Sequence, residues 1–393
     1  MGEEEVGGVE PPATGGALDR LLAPACRAAF FANHYEQAPL LCGSPDSERF
    51  QQLLTLEAVD AFVATADLRH DMLRLVARGD PVDPSRYVGP DGRILPTAVT
   101  EAYLRGATII LPQLHLALAP VAELCRALEV DFSAAVQANA YLTPGSAQGF
   151  DPHYDPHEVF ILQIAGTKVW RLYGQAEAAT AFVRGTVEPG PSSAEHVLSP
   201  GDCLYIPRGV MHEAANEGGE PSLHLTLGVH PKRWGELVLE AVAALVRDDP
   251  AFQRALPPGF ATRPKALRLA EQQFAPLLAR LSEGIRLDQA LHRSARDFLH
   301  DRRPDISGVL ASPQPAGRLR VRPLLLWRLS DDRGDIILTG PGGDLRFPSS
   351  EEATLCAALS GREFDPAHLP SPDPARLVER LWANGYLEGV PEG

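Results

Sequence analysis

The sequence predicts a mostly β core flanked by helices, followed by a helical module and a small mixed domain of winged-helix type. Short β-rich runs separated by Gly and Pro fill residues 136–229, as an all-β barrel or sandwich requires. Helical patterns precede this stretch from residue 18 and return after residue 231. The 393 residues suffice for two or three domains, at roughly 150 residues each.

The N-terminal part is predicted to be a loose tail followed by helices. Residues 1–17 are rich in Gly, Glu and Pro, which is typical of disorder. The runs LDRLLAPACRAAF from Leu18 and VAELCRAL from Val121 place apolar residues at helical spacing. Between them, DPVDPSRYVGPDGRILP indicates loop and edge strand because of its Pro and Gly content. This part belongs with the β-rich stretch to one predicted catalytic domain, residues 18–232.

The β-rich stretch holds four clear strand candidates, FILQIA, KVWRLY, CLYIP and SLHLTLGV. Helical runs follow, in WGELVLEAVAALV, PKALRLAEQQFAPLLARL and LDQALHRSARDFL, and define a helical module over residues 233–312. Residues 313–393 then contain the strands LLLWRLS, IILT and LRFP and two helices. Ser349 with Glu352 predicts a capping box, and Asp373 before Pro374 predicts an N-cap followed by Pro at the first helical position.

Composition excludes several function classes. The net charge of −15 argues against general affinity for nucleic acid. The many acids of the last domain argue against direct DNA binding and favour a protein contact there. Five scattered cysteines without a C-x-x-C pair fit a reducing cytoplasm. The acidic N-terminus and the lack of a long apolar run predict neither export nor a membrane segment.

The helical module carries a local excess of arginine. That excess could meet RNA or an acidic protein face. Solvated helix faces with ion pairs between subunits are the preferred interpretation.

A metal-binding pattern is formed by His153, Asp155 and His212. Alternate side chains of an extended chain share a face, so His153 and Asp155, just before FILQIA, point the same way. His212 ends the run GDCLYIPRGVMH, whose Gly and Pro residues mark a strand and a tight turn. Two imidazoles and a carboxylate leave coordination positions open, which suits non-haem Fe(II), whereas a structural zinc site would need four protein ligands.

The spacing of Gly201, Pro207, Gly209, His212 and Asn216 follows the second cupin motif. Together with NAYLTPGSAQGFDPHYDPHEVFILQIAGTKVWRLY and SLHLTLG, it makes the chain resemble the JmjC-type Fe(II)/2-oxoglutarate-dependent ribosomal oxygenases, which hydroxylate ribosomal proteins. The resemblance runs from FFANHYEQAPLL to the last domain. It implies a double-stranded β-helix of the cupin type, a dimerising helical module and a C-terminal winged helix.

By this resemblance, His153, Asp155 and His212 would hold Fe(II), with 2-oxoglutarate and O2 as co-substrates. Lys168 would hold the distal carboxylate of 2-oxoglutarate. The residue itself supports this role, because a lysine drawn into a barrel costs several kcal/mol unless an anion meets it.

Further side chains match family positions that line the co-substrate and substrate pocket, namely Asn139, Tyr141 and His224. His224 fits equally well as a hydrogen-bonded core histidine. Packing is the preferred role for Trp170 and Tyr173. We expect His157 at the pocket rim or surface and consider Glu158 as a hydrogen-bond acceptor behind the ligands.

The resemblance implies a homodimer that hydroxylates a protein side chain, an arginine or a histidine of a ribosomal protein. Two alternatives stay open: the same chemistry on a small peptide or metabolite, and a catalytically idle cupin that serves as a metal-binding regulator. A DNA-binding transcription factor is a third, against which the acidic charge argues.

Overall fold

The structure is a computed structural model that describes residues 16–145, 147, 151–175, 190–315 and 317–390. The tail predicted over residues 1–17 lies almost wholly outside the described residues. The chain forms two compact units, one of residues 14–231 and the other containing residues 232–393. No described helix is both long enough and apolar enough to cross a bilayer.

In its described residues, the first unit combines eleven strands with five α-helices. The helices are α1 (Ala17–Leu22), α2 (Arg27–Asn33), α3 (Leu56–Thr65), α4 (Pro96–Leu104) and α5 (Ala119–Phe132). The strands are β1 (Leu40–Cys42), β2 (Arg74–Ala77), β3 (Asp80–Pro81), β4 (Thr108–Leu111), β5 (Ala135–Thr143), β6 (Glu158–Ala165), β7 (Lys168–Gln175), β8 (Ala194–Leu198), β9 (Cys203–Ile206), β10 (Val210–Ala215) and β11 (Ser222–His230).

These strands form two antiparallel sheets. The larger has the order β1-β9-β6-β11-β5-β4-β2-β3 and the smaller the order β10-β7-β8. A buried apolar cluster joins Val159 and Leu204 of the larger sheet to Trp170 and Leu172 of the smaller one. The mostly β core with flanking helices is therefore confirmed. FILQIA, KVWRLY and SLHLTLGV lie in strands, as does CLYIP apart from Pro207.

The segment between the first and last predicted helices of this unit also contributes strands to the larger sheet. Strands β1, β2 and β4 were not predicted, whereas β3 lies at the sheet edge and within the run predicted as loop and edge strand. They are two to four residues long, too short for an alternating pattern to be read from the sequence.

Two residues of the cupin-like motif fix the turns that bring its strands together. Gly201 has a φ of 92°, and a Cβ there would lie 2.1 Å from the carbonyl oxygen of Asp46. The amide of buried Asn216 donates to the carbonyl oxygens of Pro144 at 3.0 Å and Glu220 at 2.8 Å. Both positions therefore require the residue the motif specifies.

The second unit contains the predicted helices and a small mixed region. Its elements are α6 (Trp234–Asp248), α7 (Pro264–Gly284), α8 (Leu287–Asp301), β12 (Leu319–Val321), β13 (Arg328–Asp332), β14 (Asp335–Gly340), β15 (Gly343–Pro348), α9 (Glu352–Ala358), α10 (Pro374–Ala383) and β16 (Leu387–Gly389). Strands β13, β14 and β15 form an antiparallel sheet, and β12 pairs with β16.

Details of this region both confirm and correct the sequence predictions. Asp373 caps α10 by accepting from the N–H of Arg376, as predicted. The capping box at Ser349 is wrong, because residues 349–351 form a 3-10 turn and no side chain caps α9. The strand predicted over LLLWRLS begins only at Arg328, since Leu324 adopts a left-handed turn conformation with a φ of 62°.

Candidate metal centre and adjoining cavity

Three side chains converge at the end of the β core. One donor atom from each of His153, Asp155 and His212 lies within 4.8 Å of the other two. The Nε2 atoms of His153 and His212 lie 4.0 Å and 3.7 Å from Oδ2 of Asp155. Both histidines are buried, and Asp155 is partly exposed. The cluster has the size and donor set of a divalent metal site.

The backbone holds the two histidines in register. His153 precedes β6 and forms an isolated bridge with His212 on β10, each N–H donating to the other carbonyl at 3.0 and 2.8 Å. Nδ1 of His153 lies 2.8 Å from the carbonyl oxygen of Asp151, and Nδ1 of His212 lies 2.9 Å from that of Val210. A carbonyl only accepts, so each Nδ1 carries the proton and each Nε2 keeps its lone pair for a metal.

The lysine at position 168 lies in the same cavity, at the start of β7. Its side chain is buried, and Nζ donates to Oγ1 of Thr143 at 2.8 Å and lies 3.5 Å from Nδ1 of His224. Burial lowers the pKa of Lys168 from 10.5 to about 7. Burial, with the neighbouring Lys168 charge, also lowers the pKa of His224 well below its usual value. The pair therefore favours an anionic ligand over a cationic one.

Aromatic rings line the cavity that Lys168 shares with the metal ligands. Tyr141 and His224 are register partners on β5 and β11, and their rings stack with centroids 4.8 Å apart. The ring of buried Trp170 lies 5.4 Å from that of His224 and 6.0 Å from that of His212. All four residues line one cavity of about 50 Å³, together with Lys168 and the other two candidate ligands. Trp170 thus packs in the core, as expected, and also faces the cavity.

Other candidates from the sequence lie elsewhere. Asn139 is absent from the cavity lining, and its side-chain oxygen accepts from the backbone N–H of Gln113 at 2.9 Å. The ring of His157 lies against that of His230, with centroids 4.4 Å apart. Glu158 is fully buried and accepts from the hydroxyl of Tyr205 and, at 3.3 Å, from the N–H of Arg208.

Glu158 therefore connects the segment after Asp155 to the turn before His212. Its link to the metal ligands is indirect, because it holds the backbone of the two segments that carry them. Burial raises the pKa of this carboxyl group, and the Tyr205 hydroxyl opposes that shift.

Sequence reasoning missed the threonines of the cavity. Thr143 bonds to Lys168 and also accepts from Oγ1 of Thr108 at 3.2 Å. Thr108 and Thr226 line the cavity as well. Thr143 lies on β5 and Lys168 on β7, in different sheets, so no local spacing in the sequence could reveal their contact.

Known proteins resemble the chain at both the sequence and the fold level. Residues 114–237 match the JmjC domain family. The chain is 34% identical over 233 residues to the bifunctional lysine-specific demethylase and histidyl-hydroxylase NO66 of Drosophila persimilis, covering 58% of this chain and 34% of that one. It is 30% identical over 315 residues to human ribosomal oxygenase 1, covering 73% of this chain and 48% of that one. The chain thus spans half or less of the length of these two curated relatives.

A solved structure shares the fold. The ribosomal oxygenase YcfD of Escherichia coli, in complex with cobalt and 2-oxoglutarate, aligns with a TM-score of 0.51 at 15% identity. The alignment covers 93% of this chain and 98% of that one.

Proposed function

This chain is a JmjC-domain protein with homologues among the ribosomal oxygenases, and from that premise we propose that it is an Fe(II)- and 2-oxoglutarate-dependent oxygenase. Its substrate is a side chain of a ribosomal protein, an arginine or a histidine, to which it adds a hydroxyl group. The observation that carries this proposal is the convergence of His153, Asp155 and His212 within 4.8 Å beside the buried ammonium of Lys168. The names of the relatives, histidyl-hydroxylase and ribosomal oxygenase, support the substrate class.

The residues fit the metal that this function needs. The cluster offers two imidazole nitrogens and one carboxylate, and among the described residues no fourth His, Cys, Asp or Glu joins it. Three protein donors leave room for a chelating co-substrate and a further small ligand, as in non-haem iron sites.

The residues also fit the co-substrate. Lys168 is buried, and burial alone accounts for its lowered pKa, so among the described residues no carboxylate stabilises its charge. The hydroxyl of Thr143 lies beside it at 2.8 Å. An ammonium and a hydroxyl at one end of a cavity suit the distal carboxylate of a keto-diacid.

Each part of the site then has a distinct task. When bound, Fe(II) with 2-oxoglutarate and O2 supplies the oxidising power to insert an oxygen atom into a C–H bond. His153, Asp155 and His212 hold the ion, and Lys168 with Thr143 orients the far end of the co-substrate. The apolar and aromatic wall excludes water from the cavity, which strengthens the electrostatic contacts inside it.

The test is turnover on defined peptides. We expect the purified chain, supplied with Fe(II), 2-oxoglutarate and peptides from ribosomal proteins, to release succinate and to add the mass of one oxygen atom to one peptide. The Asp155→Asn variant should do neither, because an amide is a much weaker ligand than a carboxylate. Metal binding without succinate release would instead identify a metal-binding regulator, and hydroxylation of free metabolites alone would exclude the protein substrate.

We propose in addition that the chain forms a homodimer through residues 233–312. Helix α7 has no buried residue along its length. Three of its apolar side chains, Leu267, Phe274 and Leu278, share one face at helical spacing and are 47%, 65% and 52% exposed. An apolar face of this kind on a soluble chain calls for a partner, and a second copy of the same helix supplies one of the same character.

The remaining assignments follow the same premise. We propose that residues 18–232 form the catalytic domain and that residues 313–393 form a winged-helix domain that contacts proteins and does not bind DNA directly. The sheet of β13–β15 with α9 and α10 supports the domain type. We also propose a reducing compartment, the cytoplasm, because all five cysteines are free.

A further inference from the structure

A second concave site lies in the unit that contains residues 232–393, whereas the metal centre belongs to the unit of residues 14–231. Helix α8 forms one wall, and the sheet of β13–β15 forms the other. The space between them, which we call the basic cleft, has a volume of about 680 Å³. This is the size of a pocket that accommodates a ligand or a short peptide segment.

The sheet presents a polar face to the basic cleft. Alternate residues on each strand point the same way, and the opposite face, with Leu329, Leu338 and Phe347, packs into the buried core. On the cleft side, Ser330 pairs in register with Ile337, and Thr339 pairs with Asp344. Apart from Ile337, the sheet residues that line the cleft are polar or charged.

The lining is cationic although the chain is acidic. Its charged residues are five arginines and three aspartates: Arg286, Arg293, Arg296, Arg328, Arg346, Asp288, Asp332 and Asp344. The whole chain carries a net charge of −15. The basic cleft is therefore locally positive on a negatively charged molecule. Concave walls strengthen the positive electrostatic potential inside it.

Each aspartate of the cleft is already engaged. Asp288 pairs with Arg286 at 2.7 Å, and Asp332 pairs with Arg346 at 2.8 Å. Asp344 accepts from His300 at 2.8 Å and from the hydroxyl of Thr339 at 2.7 Å. The same contacts engage Arg286 and Arg346, and Arg346 also pairs with Asp335 at 3.1 Å, so the cationic surplus lies elsewhere in the cleft.

The surplus is located on α8. Arg293 and Arg296 are one helical turn apart and exposed, and among the described residues Arg293 has no ion-pair partner. The nearest carboxylate of Arg296 is Asp297, at 4.0 Å on the same exposed helix. Across the cleft, Arg328 donates to Nδ1 of His292 at 3.1 Å, which holds its guanidinium on the cleft wall. Guanidinium groups bind carboxylates in a bidentate manner.

We propose that the basic cleft binds a short acidic segment of a partner protein, whose carboxylates pair with Arg293 and Arg296 on α8. Nucleic acid fits the cleft less well. Among the described residues that line the cleft, none is a Phe, Tyr or Trp on which bases could stack. This site goes beyond the oxygenase function, and the experiment that tests it does not depend on that function.

The experiment measures binding to the full chain by fluorescence anisotropy at low salt. The probes are a fluorescein-labelled hexaglutamate peptide and an equally labelled hexauridylate. The cleft variant combines Arg293→Glu with Arg296→Glu. The control combines Arg254→Glu with Arg268→Glu, two exposed arginines outside the cleft lining that give the same change in net charge.

We expect saturable binding of the peptide, weakened about tenfold or more by the cleft variant and less than about twofold by the control. Raising the salt concentration should weaken binding to the wild type. The milder pair Arg293→Gln and Arg296→Gln gives the same loss with less risk to folding, which thermal unfolding checks.

Three results would overturn the proposal. One is the absence of saturable peptide binding by the wild type. Another is an equal loss in the cleft variant and the control, which would assign the effect to net charge alone. The third is tighter binding of hexauridylate that the cleft variant abolishes, which would make the basic cleft an RNA site.

Discussion

Replacing Lys168 by methionine separates two effects of this lysine: the folding stability lost by burying it and the affinity for 2-oxoglutarate that it provides. The side chain is 2% exposed, and burial lowers its pKa from 10.5 to about 7. Between these two values the unfolded chain binds a proton that the folded chain does not, so this group makes stability rise with pH across that window and imposes its full penalty below about pH 7. At about 1.4 kcal/mol per pKa unit, the penalty at neutral pH is at most about 5 kcal/mol.

Methionine has a similar volume and no charge to desolvate. It leaves the Thr143 hydroxyl without the lysine, at a cost of about 1 kcal/mol. We therefore expect Lys168→Met to stabilise the ligand-free protein by about 1–4 kcal/mol at neutral pH and to weaken 2-oxoglutarate binding at least about a hundredfold. Urea unfolding measures the first quantity and calorimetric titration with Mn(II) present measures the second.

The matched control is Lys265→Met, at an exposed lysine in the first turn of α7. It should change neither quantity. A Lys168→Met protein that is less stable than the wild type, or that binds 2-oxoglutarate equally well, would refute the argument that this lysine is an unpaired buried cation awaiting an anion.

Three further changes test other parts of the molecule. His212→Ala should abolish both Co(II) binding, measured by calorimetry, and succinate release, because two donors hold the ion weakly; retained binding would mean that the triad is not the metal site. Gly201→Ala should cost about 3 kcal/mol or more in urea unfolding, against about 1 kcal/mol for Gly174→Ala. A Cβ at Gly201 meets a carbonyl oxygen at 2.1 Å and one at Gly174 meets nothing within 4 Å, so equal costs would contradict the close-approach argument. Phe274→Glu with Leu278→Glu should convert a dimer to a monomer in light scattering, and an unchanged mass would place any dimer interface elsewhere.

The metal cluster could be predicted from sequence because its parts are local. The H-x-D pair lies within three residues, and the glycines and prolines around His212 specify the turn that presents it. The role of Lys168 came from the family resemblance, and the cost of burying a lysine without an anion supported it. The H-x-D pair needs only strand alternation and the chemistry of metal ligands.

Contacts between distant strands could not be predicted in this way. Thr143 meets Lys168 only because β5 and β7 face each other across the cavity, and strands β1 to β4 acquire their place only by pairing. Asn139 shows the same dependence, because its side chain bonds to Gln113 on a loop that the sequence could not place beside it. The basic cleft likewise depends on α8 facing a sheet whose last strand begins at residue 343.

The reciprocal backbone bridge between His153 and His212 has a bearing on which divalent ions the centre accepts. Both imidazoles are anchored twice, by main-chain pairing and through Nδ1, so their separation is set by the framework and not by the ion. Asp155, with a side chain 18% exposed against 9% and 4% for the histidines, is the donor with the most room to shift. When ions of different radius bind, the carboxylate of Asp155 should therefore move more than either imidazole. Replacing one metal by another should change the carbon–oxygen stretching frequencies of this carboxylate first.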